Sequence, residues 1–121
     1  MAFDWQDYYD LAKELSEREE ESALRTAMSR AYYAAFCNAQ IKVKQRAPDL
    51  VREDGQGSHE VVWRWFKRQN NRSLNEIGTW GLRLRDNRVS ADYRADVRID
   101  SVWVQDALDD ADSILRRLTN I

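Results

Sequence analysis

Apolar positions along this chain recur at intervals of three and four, and no stretch of any length alternates with period two, so the pattern predicts a protein built of α-helices. One proline and four glycines in 121 residues leave few interruptions. Five helices follow. The first is expected from about Asp4 to Arg18, capped by Asp4, with Asp7 well placed in its first turn and Phe3, Tyr8, Leu11 and Leu15 facing inward. The second runs from about Glu20 to Arg46 and ends before Pro48, which restricts its predecessor and cannot continue the hydrogen-bond ladder. Residues 47–57 read as a polar loop. Ser58 is the expected N-cap of a short helix to about Gln69, in which Val62, Trp65 and Phe66 share a face, and Asn70-Asn71 marks a turn. The fourth helix, about Ser73 to Ala95, contains Gly78 and Gly81; glycines three apart mark a closely packed neighbour or a bend. The last, about Asp100 to Leu118, carries a stripe of Val104, Ala107, Leu108, Ala111, Ile114, Leu115 and Leu118.

Two of these helices depart from a single apolar face. In the second, Ala23, Ala27, Ala31, Ala34 and Ala35 form a small-residue face, beside a larger-residue face of Met28, Tyr32, Ala35, Phe36 and Ala39. Such a helix is central to a bundle, or is shared between the monomer core and a dimer interface. Arg30, Tyr33 and Cys37 lie on a further face. In the fourth helix, Leu74, Ile77, Gly81 and Leu84 fall within about 80° of one another at 100° per residue. Arg88 projects near the centre of that same stripe, with Arg85 and Asp92 at one edge. An unpaired buried charge costs several kcal/mol, and Asp92, four residues on, is the local partner. The stripe therefore ends either in a structural ion pair or in the lining of a functional groove.

Composition narrows the function classes. The chain is long enough for one domain, spanning 1–121, that buries roughly two thirds of its unfolded surface. With 43% hydrophobic and 33% charged residues it is globular rather than disordered. No apolar run approaches the ~18 residues of a membrane span, no signal-peptide pattern opens the chain, and the expected compartment is the cytoplasm. The single cysteine, Cys37, excludes an intramolecular disulfide and a cysteine zinc site; with one histidine and scattered carboxylates, neither a metal nor a cofactor is expected. The net charge of −2 hides an uneven distribution. Residues 1–23 hold two basic and eight acidic groups, residues 64–98 nine basic and four acidic, and residues 99–121 two basic and five acidic. A basic late segment flanked by acidic ends either offers a phosphate-attracting surface or is neutralised by its neighbours within the bundle.

Ser29-Arg30-Ala31-Tyr32-Tyr33-Ala34-Ala35-Phe36 in a long helix, His59 opening a short one, and Leu84-x-x-x-Arg88-x-x-x-Asp92-Tyr93 in the next resemble small stand-alone HEPN domains of prokaryotes over roughly residues 5–118. The resemblance implies an up-and-down bundle of four to five helices that forms a homodimer. It also implies a place in a toxin–antitoxin, phage-defence or RNA-processing system, often beside a minimal nucleotidyltransferase partner. Active HEPN proteins are metal-independent ribonucleases with an arginine followed four to six residues later by histidine, at a groove across the dimer. There the histidine moves protons and the arginine stabilises phosphorane charge. In this chain Arg85 is followed, after six intervening residues, by Asp92, and no histidine occurs after His59. A carboxylate can accept a proton but returns one poorly at neutral pH.

The expected function is therefore an HEPN-type module that binds RNA or a nucleotidyltransferase through an arginine/aspartate groove. The alternatives are a ribonuclease with a divergent site and a purely structural helical dimer. Candidate catalytic residues are Arg85, Arg88, Asp92 and His59; candidate binding residues are Arg30, Tyr33, Asn87 and Tyr93. His59, in a helix's first turn, is expected to have a lowered pKa and to matter if the fold brings it near Arg88 or Arg30. Trp63, Trp65 and Trp80 can stack on bases, although tryptophan at helical spacing is more often packing.

Overall fold

The computed structural model describes residues 2–51 and 59–121, and among these it contains five α-helices and no strand. They are α1 (Gln6–Leu15), α2 (Glu21–Arg46), α3 (His59–Lys67), α4 (Arg72–Tyr93) and α5 (Ser101–Leu118), with a 3₁₀ turn at Pro48–Leu50 in what was expected to be plain loop. No helix is long and apolar enough to cross a membrane. Helix starts follow the capping chemistry of their sequences. Asn71 Oδ1 accepts from the Leu74 amide at 3.0 Å and Asp100 Oδ1 from the Trp103 amide at 2.9 Å. Asp4 accepts from the Gln6 amide at 3.0 Å, although the residue flanking α1 is Trp5. The expected cap Ser58 lies outside the described residues.

The two-faced α2 is the central helix, packed against α1, α3, α4 and α5. Twelve of its residues are buried, from Ala23 to Val43, and both the alanine face and the aromatic face belong to the monomer core. The central position that the pattern predicts is therefore observed, while Tyr33, Cys37 and Ile41, four residues apart, remain partly exposed on a further face. The phase of α1 differs from expectation. Phe3 is 51% and Leu11 40% exposed, whereas Tyr9 and Ala12 are buried and Tyr8 and Leu15 pack at the core's edge. Ala12, fully buried, permits a close approach to α2, and a stripe drawn through the largest side chains passes over an alanine.

The glycines of α4 mark close approach rather than a bend. A Cβ on Gly78 would stand 2.6 Å from the Trp63 carbonyl oxygen and 2.9 Å from the Lys67 amide nitrogen. A Cβ on Gly81 would enter the Trp63 indole, 2.6 Å from Cζ3. Only glycine lets α3 settle on α4 with Trp63 fully buried.

The C-terminal end of α4 is held by a residue with no apolar signature. Arg25 of α2 donates to the carbonyls of Ser90, Ala91, Arg94 and Val97. These include helix-end acceptors that the α4 ladder leaves without donors. Glu21, one turn earlier, accepts from Arg25 Nε at 2.9 Å and from the Ile99 amide at 3.1 Å. Together they fix the α4–α5 connection to the start of α2, and so set the position of the residues just upstream, Arg88 and Asp92.

Gly81→Ala tests the fit of α3 on α4. Alanine gains about 1 kcal/mol of helix propensity, but overpacking costs about 1–3 kcal/mol. The expected outcome in urea unfolding is a net loss of about 1–2 kcal/mol with altered tryptophan fluorescence. A stabilised variant would mean that the Trp63 indole has room to move.

Candidate functional site

Arg88 leaves α4 where the apolar stripe predicts a leucine and is buried, with 7% of its surface exposed. Its guanidinium carbon lies 5.2 Å and 5.5 Å from the ring centres of Tyr32 and Tyr33, and 5.9 Å from that of Tyr93 at the helix end. Asp92, one turn on, is its carboxylate partner, but Nη1 to Oδ2 is 3.4 Å. That is long beside the ~2.7–2.9 Å of a charge-assisted hydrogen bond. Asp92 Oδ2 also accepts from Ser29 Oγ at 3.3 Å. Ser29 Oγ in turn accepts from Arg30 Nη2 at 3.2 Å. Arg30 stacks against Tyr8 and Tyr33, at 4.7 Å and 5.1 Å from their ring centres.

Hydrogen-bond capacity is unfilled here. Arg88 Nε and Arg85 Nε are both buried and have no acceptor. A guanidinium carries five N–H donors, and among the described residues Arg88 satisfies one of them, at 3.4 Å. Among the described residues, Arg30, Arg85 and Arg88 outnumber the carboxylates near them, which are Asp92 and, beside Arg85 but already paired with Arg64, Glu60. A partly desolvated cluster of that kind attracts an anion rich in acceptor oxygens.

His59, at the start of α3, joins the same cluster through aromatic contacts. Its ring stacks on Phe36 at 4.2 Å and lies 5.6 Å and 6.0 Å from the centres of Tyr32 and Tyr33, the rings that carry Arg88. Its Nδ1 is 2.7 Å from the Tyr32 hydroxyl, which also accepts from Trp63 Nε1 at 3.1 Å. An indole N–H can only donate, so the Tyr32 oxygen accepts there, and the proton of this buried hydroxyl finds its one acceptor among the described residues at His59 Nδ1. The network thus assigns Nδ1 as acceptor, and the neutral imidazole carries its proton on Nε2. Burial, followed by the positive charges of Arg88 and Arg85, lowers the His59 pKa from its ordinary 6.5. Burial likewise raises that of Tyr32, which keeps its hydroxyl protonated. At neutral pH, His59 therefore presents an N–H donor rather than a free base.

The fold brings together Arg30, Tyr33, His59, Arg85, Arg88 and Asp92, and sets Tyr93 on the rim, 74% exposed. It separates Asn87, whose Oδ1 accepts from Trp103 Nε1 at 3.0 Å on the α5 side of α4. Asn87 is a packing residue and is removed from the site. The tryptophans expected as stacking candidates are otherwise engaged. Trp63 is wholly buried, Trp65 packs edge-on to Phe66 at 5.0 Å, and Trp80 lies under Arg117 at 4.8 Å. Burial pushes the half-buried Cys37 thiol up to about 11, so it is inert at neutral pH. Among the described residues, no group of three or more histidine, cysteine and carboxylate side chains is placed to hold a metal ion.

Three participants were not singled out from the sequence. Ser29 bridges Asp92 to Arg30, and Trp5 and Tyr8 line, with Arg30, Tyr33, Cys37 and Asp92, an open groove of about 430 Å³. Phe3, Trp5 and Tyr8, three aromatics within six residues at a helix start, were a visible signal for that groove. No family model, curated protein or solved structure matches the chain.

The electrostatics of His59 give a measurable outcome. Its folded pKa lies below 6.5, so the unfolded state binds more protons as the pH falls through that range. Stability contributed by neutral His59 is present above 6.5 and is lost as the pH drops toward the folded value. Imidazole NMR titration should give a midpoint below 6.5, and Arg88→Met should move it part of the way back while the burial contribution stays. An unshifted midpoint in the native chain would separate His59 from the arginine cluster.

Proposed function

We propose that this chain is an HEPN-type helical module that binds RNA, with Arg85, Arg88 and the Nε2–H of His59 taking up phosphate oxygens. One observation carries the proposal: a guanidinium that is almost fully buried yet lacks acceptors. Leaving such donors unmet costs about 1–3 kcal/mol, and a phosphate offers the fork-like acceptor geometry that arginine matches. Sequence-independent phosphate contacts supply much of the affinity of proteins for nucleic acids. The resemblance of the Ser29–Phe36, His59 and Leu84–Tyr93 segments to HEPN domains supplies the biological setting. That setting is a cytoplasmic toxin–antitoxin or defence-like system with a minimal nucleotidyltransferase as partner. Homodimerisation rests on the same resemblance.

Binding is favoured over cleavage by the protonation state of the site. The groups proposed to hold phosphate, Arg85, Arg88 and the Nε2–H of His59, are donors, and His59 has its Nδ1 lone pair committed to Tyr32. The second reading, a metal-independent endoribonuclease, has one observation behind it: the single histidine stands beside two arginines even though it is far from them in sequence. Such an enzyme would need His59 to release Tyr32 and take the 2′-hydroxyl proton itself.

Anisotropy of labelled single-stranded RNA at moderate salt tests the proposal. Arg88→Ala, verified as folded by circular dichroism, should weaken binding about tenfold to a hundredfold, the range of one charged hydrogen-bonding group. It should also make the salt dependence shallower by about 0.7 in log–log slope. Arg88→Lys should recover only part, because the ammonium lacks the fork. Arg83→Ala, whose side chain pairs with Asp110 elsewhere, serves as the control. Unchanged affinity in Arg88→Ala would refute RNA binding at this site. Cleavage of RNA in EDTA that disappears in His59→Ala would transfer the assignment to the ribonuclease.

A further inference from the structure

The groove lined by Trp5, Tyr8, Arg30, Tyr33, Cys37 and Asp92 opens on the α1 side of Tyr33 and shares Tyr33 and Asp92 with the arginine cluster. Its volume, about 430 Å³, falls in the range of small-ligand sites. One wall is aromatic and prearranged. Trp5 meets Phe3 edge-on at 5.0 Å and Tyr8 edge-on at 5.5 Å, and Phe3 lies 5.2 Å from Tyr8. Arg30, held over Tyr8 and Tyr33, adds a guanidinium plane, which stacks on nucleobases much as a ring does. Another feature is an open acceptor. Both hydrogen bonds to Asp92 fall on Oδ2, and among the described residues Oδ1 receives none.

Aromatic stacking surface, a cationic neighbour and a carboxylate oxygen in need of a donor are the complements of a nucleoside. A base supplies the π-face, its phosphate the negative charge, and a ribose the hydroxyl donor. The groove between α4 and α5, lined by Asp106, Asp109 and Asp110 with Arg83 already paired, offers the opposite charge. We infer that the α1-side groove is a nucleoside subsite for one unpaired ribonucleotide of a single strand. The base lies on the Trp5–Tyr8 wall and Arg30, and the ribose 2′-hydroxyl donates to Asp92 Oδ1. A base within a duplex keeps its faces stacked on its neighbours and cannot enter. The inference rests on the phosphate-binding reading above, and deepens it by naming single-stranded RNA, in preference to DNA or duplex, as the ligand. In this arrangement Asp92 is a specificity determinant: its carboxylate repels phosphate in general but rewards the hydroxyl that only RNA carries.

Three probes distinguish failure of the subsite from failure of the phosphate site: a short oligouridylate, its deoxy counterpart and inorganic phosphate. Binding of the oligomers is read by anisotropy, and that of phosphate by the His59 imidazole resonances. The native chain should bind the ribo-oligomer at least about fivefold more tightly than the deoxy form, an RNA duplex more weakly, and phosphate with a shift at His59. Trp5→Ala should weaken the ribo-oligomer about tenfold, within the range for loss of one stacked base, while the response of His59 to phosphate stays as in the native chain. Tyr8→Leu, checked for folding, should do the same from the other half of the wall. Asp92→Ala removes a negative charge and should raise affinity for both oligomers, so the ratio is decisive: it should fall to about one. Equal binding of the ribo- and deoxy-oligomers by the native chain overturns the inference, as does unchanged affinity in both wall variants or duplex binding as tight as single-strand binding. A silent His59 with phosphate, together with unchanged binding in Arg88→Ala, overturns the underlying phosphate site instead.

Discussion

The Tyr32 hydroxyl is wholly buried, and a hydroxyl left unsatisfied in that setting costs about 1–3 kcal/mol, so the positions of its two partners are tied to the stability of the bundle. Trp63 supplies one hydrogen bond and His59 the other, both from α3. Trp63 reaches the hydroxyl because Gly81 leaves space for its indole against α4. The face of the Tyr32 ring carries the Arg88 guanidinium, also from α4. One side chain of α2 therefore registers α3 and α4 together, and the histidine tautomer and the arginine position are outcomes of the same packing. Fold and site are not separable layers here, since the hydrogen bond that orients His59 is also one that seats α3.

Two arginines packed between helices illustrate how a structural cation differs from one held for a ligand. Arg25 is half-buried and satisfied: Glu21 accepts from its Nε, and four carbonyls around the end of α4 accept from its two terminal nitrogens. Arg88 is more deeply buried and less satisfied, with a long ion pair, an orphan Nε and aromatic faces that offer electrostatic attraction but no lone pairs in its plane. A buried pair of that quality is poor value for stability, because desolvation of both ions exceeds what a loose contact returns. Arg25 shows that this fold can complete an arginine where the arginine is a structural element, which makes the incompleteness of Arg88 informative.

Much of this architecture is legible in the chain before any coordinates. Helix number and order, the stop before Pro48, the turn at Asn70-Asn71 and a last helix beginning near Asp100 follow from spacing and end chemistry that act over a few residues. The inward projection of Arg88 is likewise a matter of 100° per residue, and its burial accords with that. Properties that depend on which helix faces which are not legible in the same way. The α1 stripe was misplaced because Ala12 contributes little to a hydrophobic pattern yet is fully buried against the core. Asn87 belongs to α5 rather than to the groove because the rotation of α4 within the bundle is set by Gly78 and Gly81 against α3. Arg25 gave no signal at all, since its acceptors are backbone carbonyls more than sixty residues away. His59 joined the arginines only through the Tyr32 network, which no local spacing encodes.

The charge segregation along the chain takes on a physical meaning once the helices are assembled. Acidic α5 meets the outer face of α4, where Asp110 takes Arg83 in a bidentate pair at 2.6 Å and 2.8 Å. Across the bundle, Glu76 of α4 lies 3.4 Å from Arg117 of α5. Neutralisation between neighbours thus accounts for one face of the basic segment. It does not reach the other, because Arg85 and Arg88 turn toward α2 and α3, where the rings of Tyr32, Tyr33, Phe36 and His59 are gathered and, among the described residues, Asp92 faces Arg88 while Glu60 is already paired with Arg64. Residues close together in sequence are divided by helical phase into a compensated set and an uncompensated one. The uncompensated set sits in a partly desolvated pocket, where salt screens less effectively than at an open surface. A net charge of −2 for the whole chain is therefore no obstacle to capturing an anion: the field that a phosphate meets is set by the few groups within a screening length, and among the described residues arginines outnumber carboxylates there.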